Sequence, residues 1–233
     1  MGGPQGILFD LGGTLLGEFK FDRAAGRAHL LEIAHNPKGV TLGDYAVFAK
    51  EFHETVWAGR DESLVEFPVA KFWKLADEQL GISFDLPENE VELEFWRTAV
   101  TMKPEPGVVE TLDALREAGL PMGVVSNSAF CGYVLSRELE QHGLRDYFAF
   151  VMSSADYGIR KPHHMIFDTA AGKLGLRPAD VWFAGDRLDQ DVAGAKGAGM
   201  YAVWYNPSGA PCDGAVPDAE VGHWGELLPL MGV

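Results

Sequence analysis

The sequence predicts an α/β fold in which a doubly wound parallel sheet is joined to a run of helices. Short apolar runs alternate with helical patterns along most of the chain, as in proteins whose parallel strands are connected by right-handed crossovers. The segment 17–99 differs, because helical spacing recurs there without a strand pattern. We therefore predict a Rossmann-like core formed by residues 1–16 and 100–233, and an all-helical cap domain formed by residues 17–99.

Five apolar runs are predicted as the strands of the sheet. Each is short and ends at a small or polar residue, which is typical of a parallel strand that is covered on both faces. The runs are residues 6–11, 121–126, 148–152, 181–185 and 200–205. The first helical pattern after residue 99 has Pro106 near its start and Gly119 at its end. Both residue types are common at helix boundaries.

Four helices are predicted within the segment 17–99. Apolar residues recur there at helical spacing, for example Phe48, Phe52 and Val56. Stretches rich in Asn, Pro, Gly and Ser separate the helical patterns. The predicted helices lie near residues 21–35, 42–57, 66–80 and 88–100.

The composition indicates a globular protein with an acidic surface. The 233 residues are 47% hydrophobic and 23% charged, with a formal net charge of −15. This charge would repel nucleic acid and anionic lipid, so we expect neither nucleic acid nor a membrane as a partner. Two cysteines without metal-ligand spacing, no charged leader and no long apolar run favour a reduced, cytoplasmic protein. The sequence does not indicate an oligomeric state.

Polar side chains suited to phosphate chemistry lie at or after the ends of four of the five predicted strands: Asp10, Ser126 with Asn127, Lys161 and Asp186. Because the carboxyl ends of parallel strands meet at one edge of an open sheet, we expect these residues to lie together. A carboxylate can attack phosphorus, while a hydroxyl and an ammonium group can neutralise the phosphoryl oxygens. The two aspartates also form a hard-oxygen site that suits Mg²⁺.

In order and spacing, these groups resemble the four motifs of the haloacid dehalogenase (HAD) superfamily. The motifs are D-x-x-x-T from Asp10 to Thr14, Ser126-Asn127, Arg160-Lys161-Pro162, and G-D-x-x-x-x-D from Gly185 to Asp191. The helical segment after the first motif resembles the C1-type cap of subfamily I, and the motif set is similar to the phosphatase-like branch. The resemblance covers essentially the whole chain.

The resemblance implies a phosphatase or related hydrolase that acts on a small phosphorylated or otherwise anionic substrate. Asp10 would be the nucleophile and would become an aspartyl-phosphate, and Ser126 and Lys161 would be further catalytic residues. Thr14, Ser126, Asn127 and Lys161 would bind the substrate phosphate.

The resemblance also implies Mg²⁺ as the cofactor. The metal ligands would be the Asp10 carboxylate, the main-chain carbonyl of Gly12 and the Asp186 carboxylate. Asp191 would lie behind these metal ligands and help to hold them in position.

Gly12 departs from the phosphatase pattern. Phosphatases of the family carry a second Asp at this position, where it protonates the leaving group and then deprotonates the attacking water. Loss of a general acid/base typically lowers the rate by about 100- to 10,000-fold. The metal contact would survive, because it uses a main-chain carbonyl. We therefore predict hydrolysis of phosphomonoesters with the usual acid/base missing.

Three alternatives to this function follow from the glycine. A C–P hydrolase like phosphonoacetaldehyde hydrolase would need a cap lysine for a Schiff base, and a C–halogen hydrolase would need no metal. A catalytically weak or inactive protein would only bind a phosphorylated ligand. The lysines of the segment 17–99 are Lys20, Lys38, Lys50, Lys71 and Lys74. Sugar kinases also use a D-L-G-G-T sequence, but they need a strand hairpin directly after it and a second actin-like domain.

Overall fold

The computed structural model describes residues 3–54 and 60–233. Its strands are β1 (Gly6–Phe9), β2 (Leu16–Phe21), β3 (Val100–Pro104), β4 (Met122–Ser126), β5 (Phe150–Ser153), β6 (Val181–Gly185), β7 (Tyr201–Tyr205) and β8 (Ala219–Val221). Within the described residues, no helix is both long and apolar enough to cross a bilayer.

The helices fall into two groups along the chain. The first group is α1 (Arg23–Ile33), α2 (Leu42–Phe52), α3 (Arg60–Ser63), α4 (Val69–Leu80) and α5 (Glu88–Ala99). The second group is α6 (Val108–Glu117), α7 (Gly132–Gln141), α8 (Ser154–Tyr157), α9 (His164–Lys173), α10 (Ala193–Gly197) and α11 (Leu227–Met231). Of the helix predicted near 42–57, residues 55–57 lie outside the described part of the chain.

The larger sheet confirms the predicted fold class. Its six strands are all parallel in the order β5-β4-β1-β6-β7-β8. The central strand β1 has Phe9 opposite Val124 of β4 and Ala184 of β6. All four residues of β1 are buried, as expected for a strand covered by helices on both faces. The five predicted runs are β1, β4, β5, β6 and β7.

The second sheet corrects the expectation that residues 17–99 contain no strand. Strand β2 begins at Leu16 and runs to Phe21, and it pairs antiparallel with β3. Together they form a two-stranded ribbon. Strand β2 crosses the first predicted boundary of the helical segment, and β3 begins directly after the second, at Val100. The side chain of Phe19 is exposed, so this strand lacks the buried apolar run by which the other strands are recognised.

The helices of the first group pack through aromatic side chains. Helix α1 lies against α5, and α2 lies against α4. The rings of Phe52 and Phe72 are 4.6 Å apart, and those of Trp73 and Phe95 are 4.7 Å apart. Phe95 in turn stacks on Phe130, which follows β4. Aromatic contacts of this kind therefore join α5 to the end of the main sheet.

Candidate active site

Asp10 lies at the carboxyl end of the central strand β1. Its main-chain N–H donates to the carbonyl of Ala184 on β6 at 2.9 Å, which extends the strand pairing to the carboxylate itself. The side chain is buried. A carboxylate can remain there only if charged or polar groups compensate its charge.

Lys161 supplies that compensation from a fully buried position. Its Nζ donates to Asp10 Oδ1 at 2.5 Å and to the carbonyl of Val125 at 2.9 Å, and it lies 2.7 Å from Asp191 Oδ1. Burial alone lowers the pKa of this lysine, but the carboxylates of Asp10 and Asp191 together raise it. The ammonium group is therefore charged and held between two aspartates.

Three carboxylates gather beside this lysine. One oxygen each of Asp10, Asp186 and Asp191 lies within 4.8 Å of the others. Asp186 follows β6, and Asp191 lies in a single π-helical turn after it. The main-chain N–H of Arg187 donates to Asp191 Oδ2 at 3.0 Å, so the loop after β6 holds its own second aspartate in position.

Two glycines are needed for this close approach. A Cβ at Gly185 would lie 2.4 Å from the carboxylate of Asp191, and one at Gly13 would lie 2.6 Å from Asp186 Oδ2. Gly13 also has a φ of +79°, which glycine adopts readily. The glycines of the first and fourth motifs thus leave room for the aspartates.

The charges of the three carboxylates suit a divalent cation that prefers oxygen ligands, such as Mg²⁺. Burial, followed by the negative charge of Asp10, raises the pKa of Asp186 to about 6. Burial also raises the pKa of Asp191, although Lys161 opposes the shift. The cluster has one ammonium for three carboxylates, so a cation bound by carboxylate oxygens would relieve the remaining repulsion.

Thr14 and Asn127, both predicted to bind phosphate, have other partners here. The buried Thr14 hydroxyl donates to Asp186 Oδ1 at 3.3 Å. The side chain of Asn127 accepts from the Lys161 main-chain N–H at 2.8 Å and donates to the Lys161 carbonyl at 2.9 Å. Both side chains therefore position predicted site residues, and their role in phosphate binding stays a prediction.

A cavity of about 1040 Å³ opens above the strand ends. Its floor includes Gly12, Gly13, Ser126 and Asn127, and its walls come from β2, α1, α2, α4 and α5. Pockets for small organic ligands usually measure about 300–1,000 Å³. The cavity gives a ligand of that size access to the end of β1.

Gly12 lines this cavity at a position where a Cβ would not clash with neighbouring atoms. A Cβ built there would meet Met102 Cε at 3.8 Å, which is ordinary van der Waals contact. The missing side chain at this position is therefore not a consequence of backbone strain or crowding.

The sequence did not reveal one buried ion pair near the site. Arg160, in the third motif, binds Glu66 in the loop before α4, and the Ser154 hydroxyl donates to the same carboxylate at 2.7 Å. Glu66 is one of many acidic residues in its segment, and its partner lies 94 positions away. No local pattern distinguishes it from a surface glutamate.

The parallel α/β sheet carries a buried cluster of aspartates and a lysine at the carboxyl ends of its strands, which is the arrangement that the sequence motifs predicted. The sequence model of the haloacid dehalogenase-like hydrolases matches residues 4–199. The chain belongs to that family, and its predicted resemblance is confirmed.

Curated relatives of the chain are phosphatases. It is 36% identical to the glyceraldehyde 3-phosphate phosphatase of Methanopyrus kandleri over 137 residues, which are 56% of this chain and 57% of that protein. The chain thus spans little more than half of that relative. It is 26% identical to the phosphoglycolate phosphatase of Yersinia pseudotuberculosis over 98% of this chain and 94% of that protein.

Solved structures with the same fold cover almost the whole chain. A HAD phosphatase from Thermococcus onnurineus is 26% identical with a TM-score of 0.62, and the match covers 98% of each chain. A 2-haloacid dehalogenase from Pseudomonas syringae pv. Tomato has a TM-score of 0.67 over 98% of each chain, at 23% identity. The second likeness extends to the fold only.

Proposed function

We propose that the protein is a Mg²⁺-dependent phosphomonoesterase that forms an aspartyl-phosphate at Asp10. The observation that carries the proposal is the buried Asp10 carboxylate held by Lys161 at 2.5 Å. It lies close to Asp186 and directly precedes Leu11 and Gly12, which line the cavity. The curated relatives, which are named for small phosphorylated compounds, support a substrate of that class.

In the proposed reaction, a carboxylate oxygen of Asp10 attacks phosphorus and the bond to the leaving oxygen breaks. The leaving oxygen takes up a proton from solvent. Water then attacks the phosphorus of the aspartyl-phosphate and the bond from phosphorus to the Asp10 oxygen breaks, which restores the carboxylate; the phosphate keeps one proton of the water and the other returns to solvent. Lys161 and the Ser126 hydroxyl would stabilise the phosphoryl oxygens. Mg²⁺, when bound by Asp10, the Gly12 carbonyl and Asp186, would neutralise charge on the phosphoryl group. Asp191 would hold Lys161.

The first group of helices would act as a cap over this site. Helices α1, α2, α4 and α5 line the cavity opposite the strand ends, so a substrate would be enclosed between them and the sheet. Enclosure of this kind excludes water and selects the substrate.

Gly12 shapes the expected substrate preference. No side chain at this position can give a proton to the leaving oxygen. Other side chains that carry protons do line the cavity from α1, from α2 and from the residue directly after α2. They are Arg23, Arg27, Tyr45, Lys50 and His53. Aryl and acyl phosphates leave without a proton more readily than alkyl phosphates, so we expect them to be the better substrates.

A substrate panel with and without Mg²⁺ tests the proposal. We expect hydrolysis of aryl and acyl phosphates that EDTA abolishes and Asp10→Asn removes. Asp168→Asn, which changes an exposed aspartate on α9, is the matched control and should keep wild-type rates. Equal kcat/KM for aryl and alkyl phosphates would contradict the role given to Gly12, and metal-independent turnover would contradict the whole proposal.

One observation bears on the C–P hydrolase alternative. Lys50 is the candidate lysine that lines the described part of the cavity, but its side chain is 78% exposed. A Schiff-base lysine is activated by desolvation or by a neighbouring cation, and this one instead lies 3.9 Å from Glu54. Borohydride trapping of a Lys50 adduct, with Lys74→Met as the unaffected control, would favour that alternative.

A further inference from the structure

The cavity extends beyond the strand ends into the first group of helices. Phe72, Trp73 and Phe95 line it there, and they belong to the aromatic contacts that join α2, α4 and α5. The space is large compared with phosphoglycolate or glyceraldehyde 3-phosphate, the compounds for which the relatives are named. A phosphate group at Asp10 would leave most of this volume for the organic part of a substrate.

Arg27 of α1 is a buried cation in the wall of this space. It is 5% exposed, and its guanidinium lies 3.7 Å from the centre of the Tyr45 ring and 5.0 Å from that of Trp73. Within the described residues, neither terminal nitrogen of Arg27 has a hydrogen-bond acceptor. Buried guanidinium groups in folded proteins normally have such partners.

Tyr45 of α2 presents a second unused donor beside it. The guanidinium lies over the face of the ring, and within the described residues the Tyr45 hydroxyl has no hydrogen-bond partner either. Burial raises the pKa of this hydroxyl above its ordinary value. It therefore stays protonated and remains able to donate.

Asp77 of α4 compensates the charge of Arg27 without lining the cavity. Its Oδ1 lies 3.6 Å from Arg27 Nη1, too far for a hydrogen bond. The Arg27 and Asp77 side chains together carry no net charge when both are ionised. A carboxylate or second phosphate would bring an uncompensated negative charge to this buried position, whereas a neutral oxygen would not.

We propose that Arg27 and Tyr45 form a second subsite that binds a neutral oxygen acceptor of the substrate. The substrate class would be a phosphomonoester whose organic part is flat and apolar, with a carbonyl or amide oxygen at the end remote from the phosphate. The aromatic wall would contact the flat part. The two donors are covered by neighbouring protein atoms and would turn toward the cavity to bind the oxygen. This substrate class rests on the proposed phosphatase function, but the subsite itself can be tested without turnover.

The test uses two phosphate-free phenols that differ at the remote end. 4-Hydroxyphenylacetamide carries the neutral oxygen, and 4-isobutylphenol has a similar shape without it. Their Kd values for the full-length protein are measured by ligand-observed NMR titration. We expect the amide to bind more tightly than the isobutyl compound to the wild type.

Arg27→Met should weaken amide binding by about 10- to 100-fold, as expected for a lost hydrogen bond to a charged group. Binding of 4-isobutylphenol should change little. The double variant Arg27→Met/Asp77→Asn removes both charges and guards against misfolding caused by a lone buried carboxylate; it should show the same selective loss. Arg97→Met, which removes an exposed arginine of α5, is the matched control and should bind both phenols as the wild type does.

Equal weakening of both phenols, no weakening of either, or no preference for the amide in the wild type would overturn the subsite. The outcome is independent of catalysis. Absence of phosphatase activity with selective amide binding would overturn the proposed function and leave the subsite standing. Turnover of phenyl phosphate without selective amide binding would overturn the subsite and leave the proposed phosphatase function standing.

Discussion

Asn127 holds the main chain of Lys161 by two hydrogen bonds, one in each direction, at 2.8 and 2.9 Å. Its Nδ2 also donates to Gln190 Oε1 at 3.0 Å, beside Asp191. One amide side chain at the end of β4 thereby joins the third and fourth motifs. The lysine that binds Asp10 is fixed through its backbone as well as through its ammonium group.

Asn127→Ala is therefore expected to lower kcat by about 10- to 100-fold, since a misplaced Lys161 would no longer be held against Asp10. Asn36 offers a matched control, because it exchanges the same two hydrogen bonds with the main chain of Val40, at 2.9 and 2.8 Å. Asn36→Ala should lose comparable thermal stability and keep kcat. If Asn127→Ala raised KM for phosphate esters and kept kcat, its side chain would be a phosphate ligand instead.

Mg²⁺ is expected to stabilise the protein through Asp186. At a Mg²⁺ concentration 100-fold above its Kd, Tm should rise by about 5 to 10 °C at pH 7.5. The pKa of Asp186 in the metal-free protein is raised to about 6, so protons should compete with the metal and the gain should shrink below that pH. Differential scanning fluorimetry with EDTA as reference measures both effects.

Asp186→Asn should abolish the Mg²⁺-dependent rise in Tm. Asp189→Asn changes an exposed aspartate of the same loop, which pairs with Arg187 at 3.0 Å, and should retain it. A rise that persists in the Asp186 variant would show that Mg²⁺ binds elsewhere.

The stability of the protein should depend on pH through Glu92 of α5. This buried carboxylate accepts from the main-chain N–H of Cys131 at 2.8 Å. Burial raises its pKa from 4.5 to about 7, although the hydrogen bond opposes the shift. Folding therefore favours the protonated form. The stability that it contributes is complete below about pH 4.5 and is lost as the pH rises past about 7.

Glu92→Gln keeps an acceptor for Cys131 and removes the charge. We expect the variant to be more stable than the wild type at pH 8.5 by about 1 to 3 kcal/mol, with little difference at pH 5. Urea unfolding at the two pH values measures it, with the exposed Glu117 changed to Gln as control. An equal difference at both pH values would contradict the proposed protonation.

The parts of the fold that the sequence predicted are those with local signals. Each strand of the main sheet except β8 is a short apolar run, and the polar residue after it lies at the expected edge. Strand β8 has three residues and lies at the edge of the sheet, which is too short for a hydrophobic pattern. Strand β2 was missed because its partner β3 begins 79 positions after Phe21, at Val100, and pairing across such a distance has no local signature.

In the candidate site, too, some residues could be predicted from local sequence signals and others could not. Asp10, Lys161 and Asp186 were predicted to lie together because strand ends converge. The contacts of Asn127 and Thr14 depend on side-chain direction in loops, which sequence spacing does not specify. The buried groups Arg27 and Glu66 could not be told from surface charges, since the side chains around them come from other helices or from outside residues 17–99.

Gly12→Asp tests the prediction that Gly12 stands where phosphatases of the family carry an acid/base Asp. A Cβ at Gly12 would have its nearest contact at 3.8 Å, so an aspartate beside the end of β1 meets no clash at its first side-chain carbon. It would restore a proton donor for the leaving oxygen. We expect kcat/KM for alkyl phosphates to rise by about 100-fold or more, while aryl phosphates gain much less.

Gly13→Asp is the matched control, because it introduces the same side chain one residue later. A Cβ there would lie 2.6 Å from Asp186 Oδ2, on a backbone with a φ of +79°. It should therefore disturb the carboxylate cluster and lower turnover of both substrate classes. The comparison separates a restored acid from added negative charge. If a folded Gly12→Asp variant gains nothing on alkyl phosphates, proton supply does not limit this enzyme, and the preference for good leaving groups must have another cause.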